Sequence, residues 1–118
     1  MSLPRLLIVE DENLLRRSLA RFFLRQGFEV VEATCLAEAE QQLDQAPYQA
    51  ALLDVGLPDG SGLRLLDRLG PERSIVITAR PDPQSFEEGG VQHHLRKPLD
   101  LTHLAELVTN VASQPMLA

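Results

Sequence analysis

The sequence predicts an α/β domain built on a doubly wound parallel sheet. Three observations lead there. Short apolar runs lack the two-residue alternation of a half-exposed strand, segments of helical period lie between them, and polar residues stand where the runs end. The polar residues are Glu10 and Asp11 after Leu6 to Val9, Asp54 after Ala50 to Leu53, Thr78 after Ser74 to Ile77, and Lys97 before Pro98. If the runs are parallel strands of one sheet, these side chains meet at its carboxyl edge.

In chain order, Leu6 to Val9 reads as a strand covered on both faces. From Asn13, Leu15, Leu19, Phe22 and Phe23 recur at helical spacing, and Arg16, Arg17, Arg21 and Arg25 read as a mostly solvated opposite face. Gly27 ends this helix before a strand over Glu29 to Glu32. A second helix from Leu36 to Gln45 carries the apolar line Leu36, Ala39 and Leu43 and stops before Pro47. Ala50 to Leu53 is the third strand. Asp59-Gly60 suits a hairpin turn, but the helical spacing that follows favours a strand-to-helix loop. The third helix spans Gly62 to Leu69, with Gly70-Pro71 as its stop.

Ser74 to Ile77 is the fourth strand, and Gln92 to Arg96 the fifth. Between them Pro81, Pro83 and Gly89-Gly90 leave only Ser85 to Glu88 for a turn or two, so the fourth helix is predicted to be shortened or missing. Asp100 stands as N-cap of a last helix whose buried stripe is Leu101, Leu104, Ala105, Leu107, Val108 and Val111. At 118 residues the chain fits one domain, residues 1–118, with 1–5 and 113–118 as tails.

Composition narrows the function classes. A net charge of −6 argues against a phosphate-backbone surface, so no direct nucleic-acid partner is expected. No apolar stretch has the length of a membrane span or the layout of a signal peptide, and the single cysteine, Cys35, makes no internal disulfide. A cytoplasmic protein is expected. His93 and His94 point to opposite faces of a strand and are not expected to share an ion. Gly60-Ser61-Gly62 lacks the Lys-Ser/Thr ending of a phosphate-binding P-loop.

Three carboxylates meeting at one edge repel one another until a proton or a cation relieves them. Magnesium favours such oxygen ligands. Asp54 is the nucleophile by position, able to take a phosphoryl group, with Lys97 as a compact positive charge and Thr78 as a hydroxyl donor to the phosphoryl oxygens.

At these residues the chain resembles the receiver domain of two-component response regulators. The resemblance covers Leu6 to Val111 and is carried by Leu-Leu-Ile-Val-Glu-Asp-Glu-Asn at 6–13, Leu-Leu-Asp-Val-Gly-Leu-Pro-Asp-Gly-Ser-Gly at 52–62, Ile-Val-Ile-Thr-Ala at 75–79 and Arg-Lys-Pro-Leu-Asp at 96–100. It implies a flavodoxin-like, five-stranded parallel sheet of order 2-1-3-4-5. It also implies a signalling domain rather than a turnover enzyme. Asp54 would take its phosphoryl group from a sensor histidine kinase or phosphotransfer protein. Magnesium would be held by Glu10, Asp11, Asp54 and the backbone carbonyl of Gly56, and Thr78 and Lys97 would bind the phosphoryl oxygens. Thr78 and the residue three before the lysine, His94, would form the switch, and Gly56 and Arg80 would modulate phosphate lifetime. The resemblance leaves room for a C-terminal effector domain with a transcriptional output and for a homodimer.

The sequence departs from the family at four places. Glu10 stands where aspartate is usual, and His94 where another aromatic is usual. Thr78 follows Asp54 by 24 positions and Lys97 follows Thr78 by 19, both short for the family. The shortening falls on the fourth helix, through which many receivers dimerise or reach their output. An aspartate-nucleophile phosphatase would want a second acid where Gly56 stands. A flavin carrier would place a phosphate against Glu10, Asp11 and Glu12. The remaining alternative is a receiver-like interaction module that signals without phosphorylation.

Overall fold

The computed structural model describes residues 3–80 and 82–115. Pro81 and the outermost tail positions, 1–2 and 116–118, lie outside the described residues. Five parallel strands form the sheet: β1 (Arg5–Val9), β2 (Glu29–Ala33), β3 (Ala50–Asp54), β4 (Ser74–Thr78) and β5 (His93–Arg96), in the order β2-β1-β3-β4-β5. The order is the expected one. Helices α1 (Asn13–Arg25) and α5 (Leu101–Ala112) cover one face, and α2 (Leu36–Gln45) with α3 (Leu66–Leu69) covers the other.

The missing alternation in the apolar runs now has its cause. Along β1, Leu6 and Ile8 pack with Phe23 and Leu104 on one face, while Leu7 and Val9 pack with Leu36 and Leu65 on the other. A strand with a core on each side has no polar face to display. All five residues of β3 and all five of β4 are buried.

Helix ends follow local chemistry. The Asp100 carboxylate accepts the backbone N–H groups of Thr102 and His103 at 3.0 and 3.2 Å, capping α5 as expected. Gly27 leaves α1 with φ +96°, a conformation that glycine adopts without steric cost. The third helix is less regular than its spacing implies, running as a 3₁₀ turn over Gly62–Leu65 and as α-helix only over Leu66–Leu69.

The fourth helix is short but present. It spans Pro83–Gly89, α4, longer than the turn or two over Ser85 to Glu88. Asp82 starts it: its carboxylate accepts the Gln84 N–H at 3.2 Å, and its carbonyl accepts that of Phe86 at 3.0 Å. Pro83 stands at the first helical position, where a missing N–H costs nothing, so it opens the helix rather than breaking it.

Described positions at both ends of the chain are held by the domain. Arg5 belongs to β1, and the buried Arg73 donates to the carbonyls of Gln114 and Pro115 at 3.0 and 2.8 Å. Asp59-Gly60 takes part in both of its readings. A two-residue antiparallel pairing of Gly56–Leu57 with Gly60–Ser61 makes a small hairpin inside the strand-to-helix loop.

Candidate functional site

Strand register brings the polar residues together. β1 and β3 align Val9 with Leu53, and β3 and β4 align Asp54 with Ile77, so Glu10, Asp54 and Thr78 leave the sheet at one edge. All three are buried, and Asp11 is exposed beside them. Oxygens of Glu10, Asp11 and Asp54 lie within 4.8 Å of one another. Lys97, whose N–H bonds the Thr78 carbonyl at 2.9 Å, brings its ammonium to 2.7 Å from Glu10 Oε1 and 3.7 Å from Asp54 Oδ2.

The two buried acids are driven apart in acidity. Burial, followed by the hydrogen bond and the charge of Glu10, pushes Asp54 up to about 7 against the pull of Lys97 and the Gly56 N–H. Burial alone would raise Glu10 as well. Its bonds to Lys97, to Asp54 and to the Glu12 N–H outweigh that and hold it below the usual carboxylate value. Lys97 is held above its ordinary value because its bond to Glu10 and the surrounding acid charge outweigh its own burial. One ammonium is thus too little positive charge for the carboxylates around it.

That donor set fits magnesium. It offers three hard oxygen ligands within 4.8 Å of one another, and Asp11 is exposed to water that can complete a coordination shell. Glu10 reaches the cluster despite the longer side chain, and its second oxygen accepts the Glu12 N–H at 3.2 Å.

The loop after β3 is held by two residues that the sequence reading missed. Asp59 accepts the N–H groups of Leu36 at 2.8 Å and Ala37 at 3.0 Å, capping α2 from 22 and 23 positions away. Cys35, the residue at the cap position, gives no side-chain bond there. Gly62 packs so closely that a Cβ would run into the Asp54 carbonyl oxygen. Asp59 could be read only as a turn former without knowing that α2 begins beside it. Gly62 carried no signal beyond its place in a glycine-rich turn.

Arg16 corrects the reading of α1. It is buried rather than solvated, with Nε 3.0 Å from Glu32 and Nη1 2.8 Å from Asn13 and 3.1 Å from the Glu10 carbonyl. A signal for this existed. Arg16, Leu19, Ala20 and Phe23 are spaced as one helical face, and all four are buried.

Of the expected switch and modulating residues, Thr78 is buried, whereas His94, Arg80 and Gly56 are exposed. The Thr78 hydroxyl accepts the Arg80 N–H at 3.2 Å, and the Arg80 side chain is exposed. His94 is exposed on β5, its ring edge-on to Phe86 of α4 at 5.1 Å. Gly56 is exposed and donates to Asp54 Oδ1 at 3.4 Å. A cavity of about 660 Å³ lies elsewhere, between Leu43, Tyr48, Leu69 and Pro115, away from the acid cluster. Among the described residues, no helix is long and apolar enough to cross a membrane.

Residues 6–109 match the response regulator receiver domain family. The transcriptional regulatory protein PmrA of Pectobacterium parmentieri is 36% identical over 107 residues, covering 85% of this chain and 48% of that protein. The aerobic respiration control protein ArcA of Escherichia coli is 30% identical over 122 residues, covering 98% of this chain and 51% of that protein. The chain therefore spans about half the length of the curated relatives it matches. Among solved structures, a CheY-like receiver domain from Methanospirillum hungatei superposes with a TM-score of 0.85 at 26% identity, over 94% of each chain. The response regulator TrrA of Thermotoga maritima, solved with magnesium and beryllofluoride, superposes with a TM-score of 0.79 at 24% identity, covering 92% of this chain and 98% of that one.

Proposed function

The chain belongs to the response regulator receiver family, and from that premise we propose that it is a phosphoacceptor, taking a phosphoryl group from a histidine kinase or phosphotransfer protein onto Asp54. The convergence of Glu10, Asp11, Asp54 and Lys97 at one sheet edge carries this reading. An Asp54 oxygen attacks the phosphorus of a phosphohistidine, a P–O bond forms as the P–N bond breaks, and the electron pair leaves with the imidazole nitrogen. Glu10, Asp11, Asp54 and the Gly56 carbonyl would hold magnesium, which would supply positive charge to offset that of the transferring group.

The residues of the chain do the rest. Asp54 attacks as a carboxylate, the form that Lys97 at 3.7 Å favours. Thr78, whose hydroxyl oxygen accepts the Arg80 N–H, donates its O–H to a phosphoryl oxygen, and Lys97 binds another. Turning a two-state domain from mostly off to mostly on needs about 5.5 kcal/mol. Hydrogen bonds to a charged phosphate, at about 1.5 to 3 kcal/mol each, supply half or more of that from Thr78 and Lys97 together. Arg80 and Gly56 flank the path of attacking water and set phosphate lifetime, and His94 moves with Thr78. The protein acts in the cytoplasm as the input part of a longer regulator. The greater length of relatives such as PmrA and ArcA supports that role.

The test is direct. With magnesium and acetyl phosphate, intact mass spectrometry should find a phosphoryl adduct on the wild type and none on Asp54→Asn. No Asp54-dependent adduct would turn the reading to an interaction module that signals by binding alone.

A further inference from the structure

We propose that Arg16 is a positioning residue for the cation site, holding the backbone of Glu10 so that its carboxylate faces Asp54 and Asp11; this rests on the magnesium-dependent reading of the acid cluster. Glu10 lies just past the end of β1. Its N–H is still taken by the sheet, bonding the Ala33 carbonyl at 3.0 Å, but its own carbonyl is bonded by Arg16 at 3.1 Å. The guanidinium is fixed in turn by Glu32 at the end of β2 and by Asn13 at the start of α1. One planar group therefore ties the ends of β1 and β2 and the first turn of α1 to the residue that bonds Lys97 at 2.7 Å.

Charge alone gives no reason to put a cation there. Arg16 bonds Asn13 and the Glu10 carbonyl at the first turn of α1, where a positive group opposes the helix dipole, and it adds positive charge close to a site for a divalent cation. The three hydrogen bonds offset those costs. The electrostatic and positioning roles consequently have opposite signs. Removing Arg16 should tighten magnesium binding if only its charge matters, and weaken it if geometry matters.

Calorimetric titration of magnesium into the metal-stripped 118-residue chain separates the two. Wild type, Arg16→Ala and the core variant Val108→Ala are compared, with circular dichroism showing that each is folded. Arg16→Ala should raise the Kd for magnesium by about 10- to 100-fold, the usual effect of losing a group that orients a metal ligand. Val108→Ala should leave it unchanged. An unchanged or lower Kd for Arg16→Ala overturns the proposal, as does an equal rise for Val108→Ala. If Arg16→Ala does not fold, Arg16→Lys keeps the charge but cannot span three acceptors, and the same outcomes apply. Failure of the wild type to bind magnesium removes the cluster reading and the role of Arg16 with it. Wild-type binding with an unaltered variant removes only the role of Arg16.

Discussion

Along β3 every residue from Ala50 to Asp54 is buried, whereas along β5 burial alternates, with His94 and Arg96 exposed. The first strand delivers an acid to the carboxylate cluster, and the second leads to Lys97. The β1–β3 side is covered on both faces, held by Arg16 at Glu10, and closed against Gly62 and the Asp59 cap of α2. The α4–β5 side rests on a helix of 7 residues, in which Phe86 is the buried contact among the described side chains. On the proposed reading, phosphoryl capture demands fixed carboxylate geometry, and a segment that moves when the phosphate arrives would gain nothing from the same depth of packing.

The sharpest way to break this contrast is to remove packing on each side. Leu52→Ala empties the centre of β3 and should cost about 2 to 5 kcal/mol in denaturant unfolding. Phe86→Ala should cost clearly less, because α4 can loosen without opening the sheet. Equal losses would mean that the two sides are equally built. The acid side can be tested next by pH. Asp54 titrates near 3.8 when unfolded and near 7 in the metal-free fold, so between those values the folded state holds the extra proton. Stability should therefore fall as pH rises through that window, with a limiting slope of about 1.4 kcal/mol per pH unit. Glu10 acts oppositely, losing its contribution as pH falls below the usual carboxylate range. Urea midpoints of wild type against Asp54→Asn at pH 4, 5.5 and 7 isolate the effect of Asp54. A difference that does not change with pH would mean that Asp54 holds no extra proton in the fold.

A smaller effect is expected at Asp59→Ala. It leaves the Leu36 and Ala37 N–H groups uncapped and should lower Tm modestly, well short of Leu52→Ala. The smallest is expected at His94→Ala. Its edge-on ring pair with Phe86 is worth at most about 0.5 to 1.5 kcal/mol beyond burial, less at an exposed position. Its effect should appear as faster amide exchange in α4 with little change in α5.

Strand positions, the four motif segments and the Asp100 cap were legible because each depends on residues close in sequence. The same locality explains the errors. Pro83 was read as a breaker because its meaning depends on where the helix starts, which the Asp82 carboxylate decides. Arg16 was read as solvated because its partners, Glu32 and the Glu10 carbonyl, come from other elements.

The sequence by itself determined the alternation of strands and helices, the parallel sheet and the identity of the acids, hydroxyl and lysine at its edge. Hydrophobic period and residue chemistry are local properties. Only the tertiary structure decided that Lys97 bonds Glu10 at 2.7 Å while standing 3.7 Å from Asp54, that Asp54 titrates near 7, and that Arg16 and Asp59 hold the two loops. Those facts depend on distance and burial between groups 6 to 87 positions apart, which no local pattern records.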